Sequence, residues 1–222
     1  MCTRYISPEA GDIERHWQVG SRTPQPLPHW PREVFPRYQG PFIRAARDSA
    51  EYARELVVGQ WSLVPWFAKT AKLPYPTCNA RSEELAAKAS YKQPWARGQR
   101  CVVPAESFFE PNWESGKHVP WRFHRADGTP WGLAGLWNTW LDKDSGEVVE
   151  SYTLLTLNAD EHPLMKRMHR PDPKRPTDMQ DKRSVVPIER EDVDTWLAAP
   201  LAQARELIRL APVSVFAAQP AV

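Results

Sequence analysis

Apolar positions in this chain come in short runs, each stopped within a few residues by proline, glycine or charge. PFIRAAR (41–47) and ELVVGQWSLVP (55–65) carry the β-branched and aromatic residues of strands. RCVVPAESFFEP (100–111), VPWRFHR (119–125), PWGLAGLWNTW (130–140) and ESYTLLTLNA (150–159) read the same way, as do KRSVVPI (182–188) and the closing PVSVFA (212–217). The Asp-Gly pair in ADGTP (126–130) predicts a tight turn that joins the runs on either side of it as a hairpin. Helices are predicted over 9–19, after a Ser-Pro start, over SEELAAKA (82–89) with Ser82 as cap, and over 189–200 and 201–210. The stretch 21–36 is proline-rich and predicts an ordered surface loop, and 162–183 is a basic, proline-interrupted connection. Many short strands with dispersed helices imply an α+β fold with a largely antiparallel sheet. The length favours one domain over residues 1–222.

Composition sharpens this picture only in places. At 222 residues, with 41% hydrophobic and 25% charged, the chain has a globular rather than a disordered composition. A net charge of +2 is too mild to indicate nucleic-acid binding by itself, though it leaves room for a local basic patch. The 23 prolines argue for turns and short elements; the 11 tryptophans suit a large core or a surface that stacks on flat ligands. Three cysteines, an odd number without CxxC spacing, argue against a disulfide framework and against a zinc site. No apolar stretch approaches the roughly 20 residues of a bilayer span. The polar SPEAGDIERHW follows the start almost at once, so no signal-peptide core is expected and a reducing cytoplasm fits.

Four places carry candidate chemistry. Cys2 stands directly behind Met1; once Met1 is removed, Cys2 bears an α-amine and a thiol on adjacent carbons. An α-amine titrates near 7.7–8.0, so part of it is neutral at working pH and able to add to an aldehyde. The neighbouring thiol can then close a five-membered thiazolidine ring. In TCNARSEE (77–84), Asn79 and Arg81 face the same way if the segment is extended; Arg81 offers a fork suited to phosphate. The alternative there is a helix entry capped by Ser82. Glu110 lies among Phe108, Phe109 and Trp113, an apolar setting that predicts a raised carboxyl pKa and general acid–base use. Glu106 would share its face in a regular strand, and a solvent-exposed edge position is the alternative for Glu110. His162 and His169 lie in the basic stretch with Lys166, Arg167, Arg170, Lys174 and Arg175, a run that also reads as a solvated face.

In order along the chain, MCTR, WSLVPWFA, CNARSE, RCVVPAESFFEP, WGLAGLW, LLTLNAD and a late His before KRSVVPI resemble the SRAP (SOS-response-associated peptidase) family over nearly the whole length. The resemblance implies a single domain with a barrel-like, bifurcated, largely antiparallel sheet surrounded by short helices. It implies a monomer that shields abasic sites in single-stranded DNA through a thiazolidine crosslink to Cys2, in the DNA damage response, with lyase activity and autoproteolytic loss of Met1. Asn79 would position the Cys2 amine and the sugar, Glu110 would relay protons, and His169 would help open the sugar ring. Arg4 and Arg81 would hold phosphates, and Trp61 and Trp66 would line the single-strand path. No cofactor, metal or membrane is implied; the location is cytoplasmic, on the nucleoid when DNA is bound. Thr3 stands where the family commonly has glycine, Pro111 where an aromatic is usual, and the stretch from His169 to Lys182 is longer than in short bacterial members. Two other functions fit parts of the pattern: an N-terminal-nucleophile cysteine amidohydrolase, and a non-covalent reader of single-stranded or modified DNA, whose binding would be reversible by salt.

Overall fold

The apolar runs close on one another. The computed structural model describes residues 1–19, 27–47, 49 and 51–221. In chain order its strands are β1 (Tyr5–Ile6), β2 (Glu33–Val34), β3 (Gln39–Ala45), β4 (Arg54–Trp61), β5 (Asn79–Arg81), β6 (Arg100–Ala105), β7 (Ser107–Asn112), β8 (Val119–Arg125), β9 (Trp131–Leu141), β10 (Val148–Asn158), β11 (Arg183–Val185) and β12 (Phe216–Pro220). The helices are α1 (Ala10–Trp17), α2 (Ala89–Ala96), α3 (Val193–Ala198) and α4 (Leu201–Glu206).

Strands β10, β4, β3, β6 and β9 form a closed circuit, because β9 pairs with both β6 and β10. A second sheet runs β12-β8-β7-β1-β2. Every pairing is antiparallel except those of β10 with β4 and β5. Strand β10 is the branch point: it pairs with β4, β5, β9 and β11 along its length.

Period-two alternation sorts the barrel side chains into two cores. Phe42, Cys101, Val103, Leu133 and Leu154 join Tyr5, Phe108 and Phe123 from the second sheet. Their neighbours Ile43, Val102, Ala134 and Leu155 instead meet Ile13, Trp17, Trp95 and Trp196 from the helices. Two glycines let β9 come close to its surroundings. A Cβ on Gly132 would lie 2.6 Å from the Trp17 ring, and one on Gly135 would lie 2.5 Å from the Thr153 carbonyl oxygen.

Several expectations are corrected. Strands β8 and β9 do not form a hairpin: the 126–130 turn carries the chain from one sheet to the other. The hairpin partner of β8 is β7, and that of β9 is β10. The run 100–111 is two strands, broken at Glu106, so Glu106 and Glu110 do not share a regular strand face. The helix expected over 82–89 is a single 3-10 turn, Ser82–Glu84, with no side-chain cap. Glu83 is engaged instead with the Asn158 N–H at 2.9 Å and with Arg183, which ties this turn to β10. Helix α2 follows where none was expected, with Pro94 inside it; burial of Tyr91 and Trp95 outweighs the local cost of the proline. The proline-rich stretch contains β2, and residues 21–26 lie outside the described residues.

Candidate active site around Cys2

Strand β1 is two residues long, yet it is held on both sides: Tyr5 lies opposite Val34 of β2 and Phe108 of β7. The Tyr5 hydroxyl shares a 2.5 Å hydrogen bond with that of Tyr152 on β10. Continuing the pairing toward the N-terminus, Phe109 donates its N–H to the Arg4 carbonyl at 3.0 Å. The chain start is therefore laid along β7, toward Glu110. Cys2 is wholly buried, and its thiol donates to the Arg4 carbonyl at 3.4 Å. Burial, then the negative charge of Glu110, pushes the Cys2 thiol well above its ordinary pKa, so it stays protonated at neutral pH.

Asn79 reaches Cys2 from β5. Its Nδ2 donates to the Cys2 carbonyl at 2.7 Å and to Cys78 Sγ at 3.4 Å. The segment behind it is fixed from two sides: the Cys78 carbonyl accepts from Trp61 Nε1 at 2.8 Å and from the Leu154 N–H at 3.0 Å. Tyr91 of α2 adds a hydrogen bond to the Asn79 carbonyl at 3.0 Å.

Glu110 is buried on β7. Its Oε2 lies 3.4 Å from the Met1 amine and 2.7 Å from His169 Nε2. Burial alone would raise its pKa, as the sequence led us to expect. The Met1 ammonium and His169 outweigh burial and hold the carboxyl below its ordinary value, so Glu110 is an ionised base here. His169 itself sits in a left-handed turn, φ 63°, whose N–H donates to the Pro111 carbonyl at 2.6 Å. Lys182 fastens that turn: its buried Nζ donates to the carbonyls of Met168 and His169, both at 2.7 Å. His162 is placed elsewhere. One ring nitrogen contacts the Ala211 carbonyl, and the other accepts from the Leu164 and Met165 N–H groups, closing a turn.

Four distant segments thus bring Cys2, Asn79, Glu110 and His169 together. Asn79 Oδ1, Glu110 Oε1 and His169 Nδ1 are buried there without a hydrogen-bond partner among the described residues. Unpaired buried polar atoms are costly, and three in one place describe a site built to be completed by something else.

The flanking residues divide. Trp66 is 63% exposed and stands edge-on to the exposed Phe67. Trp61 is 0% exposed and belongs to the core, which corrects its expected place on a single-strand path: a buried indole cannot stack on a base. Arg4 lies over the Phe109 ring at 4.0 Å and pairs with Glu33; Arg81 pairs with Asp181. A cleft of about 530 Å³ opens beside Met1 and Asn79, lined also by Phe67, Tyr75, Arg81 and Tyr91. Cys78, Lys182 and Asp181 were not singled out in the sequence as site residues. Only Cys78 carried a local signal, its place next to Asn79. Glu106, the other candidate carboxylate, pairs with Arg32.

Comparison with known proteins gives a consistent result. The family model described as SOS response associated peptidase (SRAP) matches residues 1–220. "Abasic site processing protein YoqW" of Bacillus subtilis (strain 168) is 31% identical over 189 residues, 84% of this chain and 81% of that protein. "Abasic site processing protein HMCES" of Gallus gallus is 30% identical over 167 residues, and the match spans only 50% of that longer relative. A solved structure of a protein from Bordetella bronchiseptica is 32% identical and superimposes with a TM-score of 0.85, covering 100% of both chains.

Proposed function

The chain belongs to the SOS response associated peptidase family, and from that premise we propose that it processes abasic sites in DNA by covalent capture on Cys2. The observation that carries this reading is a set of three unpartnered polar atoms on side chains gathered at the chain start: Asn79 holds the Cys2 carbonyl, Glu110 meets the Met1 amine, and His169 pairs with Glu110. An abasic sugar supplies hydroxyls that can donate to such atoms. The names of the bacterial and vertebrate relatives support the same substrate class.

The chemistry follows from the groups present. While Met1 is attached, the Cys2 nitrogen is an amide and not a nucleophile. Hydrolysis of the Met1–Cys2 bond consumes one water and frees the amine. Opening of the sugar hemiacetal moves a proton from the anomeric hydroxyl to the ring oxygen and exposes an aldehyde. Glu110, hydrogen-bonded to His169, is the base and proton relay for this step. The Cys2 amine adds to the aldehyde carbon, water leaves, and an imine remains. The thiol then adds across the C=N bond; its sulfur bonds to carbon and its proton passes to nitrogen, giving the thiazolidine. A protonated thiol suits this order, in which amine attack comes first.

The test is denaturing electrophoresis of the Met1-free protein with a single strand bearing one abasic site. A shifted, denaturant-resistant band is expected for wild type, and none for Cys2→Ala or for protein that keeps Met1. A resistant band with Cys2→Ala would overturn the reading. Hydrolysis of amides without retention of DNA would favour an amidohydrolase instead.

A further inference from the structure

Asp181 lies two residues before β11, and three arginines converge on that one carboxylate. Arg81 Nη2 pairs with Oδ2; Arg175 Nη1 stands 3.7 Å from the same oxygen; Arg183 Nη1 lies 3.1 Å from Oδ1. The arginines are not equivalent. Arg183 is 5% exposed and is also held by Glu83 at 2.7 Å and by the Thr156 carbonyl. Arg81 and Arg175 are 39% and 44% exposed, so their guanidinium groups can turn toward a ligand. Asp181 is itself set in place: its φ is 57°, and its N–H donates to Asp160 Oδ2 at 3.0 Å. Arg81 lines the cleft beside the candidate active site.

Two exposed guanidiniums sharing one oxygen is the arrangement expected around a phosphate. Adding Asp172, 3.5 Å from Arg175, the cluster contains three arginines and three carboxylates, Asp181, Asp172 and Glu83, and is neutral as a unit. We propose that Asp181 occupies, from within the chain, an anion subsite formed by Arg81 and Arg175, whose external ligand is a backbone phosphate of single-stranded DNA. The inference rests on the function proposed above. Its consequence is selectivity: affinity for undamaged strands is held down, and retention falls to the covalent bond at the lesion.

The probe is an undamaged, fluorescein-labelled thymidine oligonucleotide, followed by anisotropy across a salt series. Asp181→Asn is expected to bind several-fold tighter than wild type, with a salt slope steeper by about 0.7 for each phosphate gained. Arg81→Ala added to Asp181→Asn should return affinity to near wild type. Unchanged or weaker binding by a normally melting Asp181→Asn overturns the proposal; so does a double variant as tight as Asp181→Asn, because the gain would then come from overall charge. If Asp181→Asn melts early, Asp172→Asn carries the same test: tighter binding supports the subsite, unchanged binding overturns it. A wild type that crosslinks abasic DNA while these variants gain nothing loses only this proposal; one that neither binds nor crosslinks loses the function as well.

Discussion

At the scale of single residues, Glu110 is the group on which proton traffic depends in the mechanism proposed above. Replacement by Gln keeps the shape and removes the base. Glu110→Gln is expected to slow adduct formation and its transfer to fresh abasic DNA by about 10²–10⁴-fold without abolishing the final yield. Single-turnover gels at several pH values measure this, and unchanged rates would remove Glu110 from the mechanism. The same carboxylate leaves a thermodynamic signature. Its native pKa lies below the ordinary 4.5, so folding favours the ionised form. Its contribution to stability is then full above that value and is lost as pH falls through the lower native value. In the Met1-bearing protein, the stability gap between wild type and Glu110→Gln should hold from neutral pH to about pH 5 and shrink below it. Thermal melts from pH 7 to pH 3 would show this; a gap that widens on acidification would contradict it. The acidic shift could not be read from the sequence, because Phe108, Phe109 and Trp113 are neighbours in the chain whereas Met1 and His169 are neighbours only in the fold. Trp61 was misplaced for a related reason: a tryptophan in a strand can face either way, and here its indole N–H is spent on the Cys78 carbonyl.

At the scale of elements, the turn holding His169 stands on Lys182. Lys182→Met removes both hydrogen bonds to the turn carbonyls and should slow crosslinking toward the rate of His169→Ala. The double variant should be no slower than His169→Ala alone, and Lys182→Arg should recover part of the rate. Independent, multiplying effects would show that Lys182 acts on stability and not through His169. On β9, Gly135→Ala would drive a methyl against the Thr153 carbonyl and Cys101, since the ideal position lies 2.5 Å and 2.8 Å from them. A loss of about 1–3 kcal/mol is expected by urea unfolding. These details explain which elements the sequence disclosed. β3, β4, β9 and β10 were legible because each is long and strongly apolar. β1, β2 and β5 are two or three residues long and exist only through their partners. The Asp-Gly turn was correctly marked as a turn, but a turn motif does not say whether the strands it joins will pair. The break at Glu106 was hidden because both halves of the run are apolar and their separation into two sheets is a matter of topology.

At the scale of the whole molecule, the barrel strands place one face in each hydrophobic cluster, so neither cluster can be dismantled without the other. Tryptophan fluorescence and far-ultraviolet circular dichroism should therefore report one coincident urea transition. Two separated midpoints would show that the clusters unfold independently. Cys2 belongs to the first cluster, and its enclosure bears on how the protein coexists with metabolism. Sugars, α-keto compounds and one-carbon aldehydes all condense with an unprotected aminothiol. A mature chain with its first residue in solvent would be consumed by whichever of these was most abundant. On the function proposed above, the same two atoms, set at the floor of a folded site, would be offered only to a carbonyl carried in on a larger scaffold that the surrounding arginines and aromatic rings can grip. Discrimination among aldehydes would then be a property of the native state and not of the reactive group. A misfolded copy would lose it first, and would be poisoned by small carbonyl compounds before it could engage DNA.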